Sequence, residues 1–146
     1  MNKKNYILNN ANTRYFDYFF FKKLKTRPVN YLDLMNTNRY GITFTYDKST
    51  GKSTFKGKAT ASGGVSITNH QGGFKAGTYT MKLNKPISFL INFTIETNVG
   101  FRLPAGTTSV TTTLTKDYED VGALFCALTK DNEYDETFTL IMVKDS

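Results

Sequence analysis

The chain has 146 residues, of which 39% are hydrophobic and 21% charged, with one cysteine and no tryptophan. That is a single-domain length, long enough to bury a core of its own, and a lone Cys126 excludes an internal disulfide framework. The composition excludes a disordered polymer, and no run approaches the ~20 apolar residues of a membrane-spanning helix.

The formal charge of +7 is unevenly placed. Residues 1–30 hold Lys3, Lys4, Arg14, Lys22, Lys23, Lys25 and Arg27 against Asp17, while the remaining 116 residues are within one charge of neutrality. The opening is basic, but Tyr6-Ile7-Leu8 is too short for the apolar stretch of a secretory signal. The protein is therefore expected to be made and folded in the cytoplasm, with no membrane partner.

The division predicts a basic aromatic arm over residues 1–30 and a second unit over residues 31–146. In the arm, Asn12-Thr13 can cap a short helix with the body Arg14 to Lys25. Its cations gather in the last turns, where the helix dipole favours them, and Arg27-Pro28 ends it. On a helical wheel Phe16, Phe19, Phe20 and Lys23 share one face, and Tyr15, Tyr18 and Lys22 share the next. So aromatic a segment needs something to bury itself on.

The second unit reads as strands. Ile42, Phe44 and Tyr46 alternate with Thr43 and Thr45, the period of a half-buried strand. A turn over Asp47 to Lys52 leads into Ser53-Thr54-Phe55-Lys56-Gly57, a hairpin signal. Val65 to Thr68 is a weak strand between glycine pairs, and Tyr79, Met81 and Leu83 alternate inward. Ser88 to Ile95 is the most apolar strand, with Phe89, Ile91, Phe93 and Ile95 on one face. Phe101-Arg102-Leu103 leads to a turn at Pro104-Ala105-Gly106, and Ser109 to Thr115 is too β-branched for helix. The segments 122–128 and 137–143 complete about eight or nine short strands, the spacing of an all-β sandwich.

Candidate catalytic residues are few. His70 sits in a Gly-rich loop, and with Cys126 far away in an apolar strand the two form neither a nucleophile pair nor a zinc site. The stretches 116–120 and 130–136 are acidic, and carboxylates converging from two loops could bind Ca²⁺ or hydrolyse glycosides. Neither carries a full calcium-loop pattern, and solvated turns are rich in the same residues. The expectation is a non-enzymatic protein with no cofactor and no metal.

The arm admits several partners. Basic groups interleaved with aromatics suit nucleic acid or a membrane surface. They also suit docking on a neighbouring protein, or packing back on the chain's own sandwich. The contiguous Phe19-Phe20-Phe21 argues for burial on protein rather than for a solvated stacking platform, so nucleic acid is not the expected partner. The docking residues expected are Lys3, Lys4, Arg14, Tyr15, Phe16, Phe19, Phe20, Lys22, Lys23, Lys25 and Arg27.

From about residue 30 to residue 143 the chain resembles a module of tail, baseplate and other structural proteins of bacteriophages and prophages, the carbohydrate-binding-like jelly roll. The resemblance rests on ordered phrases: Asn30-Tyr31-Leu32, Gly41-Ile42-Thr43-Phe44-Thr45, and Gly51 in a turn. Phe55-Lys56-Gly57-Lys58-Ala59-Thr60, Phe74-Lys75-Ala76-Gly77-Thr78-Tyr79-Thr80 and Thr113-Leu114-Thr115 follow. The ending Phe138 to Val143 lacks the proline phrase that often closes the module, and the arm is foreign to its usual pattern. The resemblance implies a jelly-roll-like antiparallel sandwich in a virion protein, such as a capsid decoration, head-fibre or tail and baseplate subunit. It implies homo-oligomers and other virion proteins as partners. A host-surface glycan is the alternative ligand, with Tyr40, Tyr118 and Tyr134 as the loop aromatics to contact it.

Overall fold

The computed structural model describes residues 30–68 and 71–145. Residues 1–29, with the short helix and all the docking residues expected in the arm, and His70 lie outside the described residues. The described chain is all-β. Its strands are β1 (Thr37–Arg39), β2 (Ile42–Asp47), β3 (Lys52–Lys58), β4 (Gly63–Ser66), β5 (Gln71–Phe74), β6 (Gly77–Leu83) and β7 (Ile91–Glu96). After these come β8 (Val99–Leu103), β9 (Ser109–Leu114), β10 (Tyr118–Val121), β11 (Leu124–Leu128), β12 (Glu133–Phe138) and β13 (Leu140–Asp145).

Pairing is antiparallel throughout and nested. β7 pairs with β8, β6 with β9, β5 with β10, β4 with β11 and β3 with β12. The chain is thus one long antiparallel ribbon, turned at Thr97-Asn98 and rolled up, which is the topology of a jelly-roll sandwich. Further pairings give the sheet orders β1-β2-β3-β12, β4-β11-β7-β8 and β13-β6-β9, with β5 and β10 as a separate ribbon. Thr139 alone separates β12 from β13, so one extended stretch serves two sheets.

The alternation predicted for residues 42–46 holds through β2, where Ile42 and Phe44 are fully buried and Thr43 and Thr45 exposed. The predicted strand from Ser88 is shorter, because β7 begins only at Ile91. Before it the backbone turns aside: the Ser88 N–H donates to the Glu136 carboxylate at 2.9 Å, and Leu90 C=O accepts from Ala127 N–H. Phe89 is nonetheless buried, as its place in the apolar pattern requires. Short strands such as β1, which pairs locally with β2, and β5 and β10, which pair with each other across the fold, raise the number above the eight or nine expected.

Aromatic rings fill the interior in two groups. Phe44, Phe55, Phe89, Tyr134 and Phe138 meet at one end, and Tyr31, Phe74, Tyr79, Phe93 and Phe101 at the other. Such rings each bury about 150–250 Å² and favour the stacked, tilted and edge-to-face arrangements found here. At the free edge of β12, Glu136 faces inward and takes the Ser88 N–H, with Lys85 at 3.8 Å. An inward charge on an edge strand discourages pairing with another sheet.

Candidate functional site

The outer face of β4-β11-β7-β8 carries an aromatic where a polar residue is the rule. Leu124, Cys126 and Leu128 point inward from β11, so Phe125 and Ala127 point outward. Phe125 is 42% exposed, and it is the one exposed large hydrophobic side chain among the described residues. The register sets Ser66 beside it on β4 and Asn92 on β7, with Arg102 opposite Asn92 on β8. Neighbouring strands lie about 4.8 Å apart, so one row offers hydroxyl, ring, amide and guanidinium in order. Asn92 is oriented by a hydrogen bond from its Nδ2 to Thr94 Oγ1 at 3.0 Å. Beside the ring, a Cβ added to Gly64 would stand 3.0 Å from Phe125 Cδ1, so glycine there leaves the ring room to lie against the sheet.

Chemically this row suits a ligand with an apolar face and a polar rim. An exposed ring attracts C–H groups through its negative π face, while the amide and guanidinium offer directed hydrogen bonds. A pyranose ring has that shape. The row was missed in the sequence because 122–128 read as a continuous apolar strand; the strict alternation of Leu124, Cys126 and Leu128 was the signal that sets Phe125 outside.

The three tyrosines expected to contact a glycan are dispersed. Tyr134 belongs to β12, not to a loop, and its ring is buried edge-on to Phe55 and Phe89, while its hydroxyl accepts the Thr129 N–H at 3.0 Å. Its acidic neighbours Glu133 and Asp135 point out and disguise an alternating strand as a turn. It borders a shallow hollow of about 380 Å³ lined by Lys56, Gly57, Lys58, Glu133, Tyr134 and Asp135. Tyr118 lies on β10 and donates its hydroxyl proton to Glu96 at 2.8 Å, under Lys116, which stands 5.2 Å from the ring centre and 3.6 Å from Glu96. The Glu96 hydrogen bond, then burial and the Glu96 charge, push the Tyr118 phenol above its usual range. Tyr40 occupies the β1–β2 turn at φ 53°, with the Arg39 guanidinium on its hydroxyl at 2.7 Å. It borders the Phe125 sheet at β4, where a Cβ on Gly63 would lie 3.6 Å from Tyr40 Cε2, while Tyr118 reaches the same sheet only through Glu96 at the end of β7.

The acidic stretches serve local structure. Asp117 accepts the Ala76 N–H at 2.8 Å and pairs with Lys75, and these contacts hold its carboxyl below the usual range. No group of three or more His, Cys, Asp or Glu side chains among the described residues is placed to hold a metal ion. Cys126 is fully buried, and burial pushes its thiol far up. No helix among the described residues is long and apolar enough to cross a membrane. Compared with protein-family models, curated proteins and solved structures, the chain finds no match.

Proposed function

We propose that this chain is a non-enzymatic structural protein of a bacteriophage particle, a jelly-roll body joined to the assembly by its basic aromatic arm. The reading is carried by one contrast. Net charge and contiguous aromatics concentrate in residues 1–30, whereas the body is almost neutral and its strand faces present mainly hydroxyl and balanced charge. In the row Thr43, Lys56, Asp135 across β2, β3 and β12, all three are exposed and opposite charges are neighbours. A body of this kind is suited to be carried, and the arm to do the attaching. Deleting residues 1–27 should leave a folded body that no longer enters the particle; normal incorporation of the truncated chain would overturn the anchoring role.

A second reading, binding of a host-surface glycan, is favoured by the row around Phe125. Screening the protein against bacterial wall polysaccharides should find a ligand whose binding is lost in Phe125→Ala. Silence across the panel, or binding indifferent to that change, removes the reading.

A further inference from the structure

The strand β13 is buried on both of its faces. Leu140 and Met142 point into the core, and the alternation therefore turns Ile141 and Val143 to the outside of the sandwich. Yet they are only 6% and 9% exposed, and neither belongs to the core cluster. The register places them opposite Lys82 and Thr80 of β6, and Thr80 is itself 6% exposed. Thr139, earlier in the same outward row, is covered by the β2–β3 turn, where a Cβ on Gly51 would lie 3.7 Å from its methyl. Farther along, a sheet face that is polar elsewhere becomes an apolar stripe that is shielded from water.

We propose that this stripe, Ile141 and Val143 with the Thr80 methyl, is a docking surface for the aromatic stretch Tyr15 to Phe21 of the same chain. The chain enters the body beside it: Asn30 Oδ1 accepts the Met142 N–H at 3.0 Å, and the Tyr31 N–H donates to Met142 C=O at 2.9 Å. Residues 22–29 can span at most about 28 Å, ample to pass from the edge of β13 onto its outer face. Tyr15 to Phe21 holds six aromatic residues in seven positions, matching the need for cover. The exposed Asp145 ends the same row and offers a carboxylate to the arm's cations. The rings of the arm then cover this sheet, and the cations that do not meet Asp145 remain for a partner.

The inference concerns the isolated chain, so its test is independent of any particle. The protein has no tryptophan, and Phe19→Trp in the full chain makes the arm visible. Its emission should be blue-shifted and unchanged on dilution, and adding Ile141→Thr with Val143→Thr should move it toward that of free indole. Trypsin should then cleave after Lys22, Lys23 and Lys25 at least tenfold faster, while circular dichroism shows the body still folded. Water-exposed emission from Phe19→Trp alone would overturn the proposal, even if the threonine variants failed to fold. A blue shift that fades on dilution would also overturn it, in favour of arm exchange between copies.

Discussion

The rings of Phe55 and Phe89 stack 4.3 Å apart with 27° between their planes. One belongs to the central strand β3, the other to the irregular stretch before β7. Their contact fastens that stretch to the opposite wall of the sandwich, where Tyr134 and Phe138 also meet Phe89 edge-on.

Phe89→Ala should therefore empty a site shared by three other rings and lower stability by about 3–5 kcal/mol. Urea denaturation followed by circular dichroism measures this. A loss under ~1 kcal/mol would mean that the stretch before β7 closes over the cavity.

Gly57 has φ 138°, and a Cβ there would collide with the Gly41 carbonyl oxygen. β2 and β3 approach closely at this pair, with Ile42 directly opposite Gly57. Gly57→Ala combines a strained backbone with a backbone clash and should cost at least ~2 kcal/mol. Thermal melts of the variant beside Gly51→Ala, whose added methyl meets only a side-chain methyl at 3.7 Å, separate the clash from the positive φ that the two share.

How much of this was legible in advance depended on where each residue's partner lies. Ile42 and Phe44 declare their faces through their immediate neighbours, so β2 and the all-β class could be read directly. Tyr134 could not, because Glu133, Asp135 and Glu136 look like a solvated turn until β3 is set beside them. Phe125 was hidden for the opposite reason, since its neighbours are so apolar that an outward ring reads as more core. Ile141 and Val143 posed the same difficulty, as a run of four buried residues does not say which two face the interior.

Asp117 ties the start of β6 to the approach to β10 through the Ala76 N–H. That bond and Lys75 lower its carboxyl from the ordinary 3.8. A depressed carboxylate contributes its stability in full above the unfolded value and loses it as pH falls through the folded one. Unfolding midpoints of the native chain should drop on acidification below about pH 4, and Asp117→Ala should drop less over the same span. Parallel pH profiles of the two would show the linkage failing.

Cys126, at the centre of β11 and wholly shielded, should not react with a thiol reagent in the native state and should react stoichiometrically in denaturant. Rapid labelling of the folded protein would show that β11 opens locally. Cys126→Ala should cost stability through the lost sulfur volume alone.

The nested pairing also governs when this protein can fold during its synthesis. β7 and β8 meet as soon as they are made, but Ser53 must wait for Phe138, some 85 residues later. At about 5–20 residues per second, β2 and β3 stay without their outer partner for several seconds. The innermost hairpin can close first, and the walls formed by β3 with β12 and by β6 with β13 are completed last. The ribosome must therefore deliver nearly the whole ribbon before the sandwich can shut.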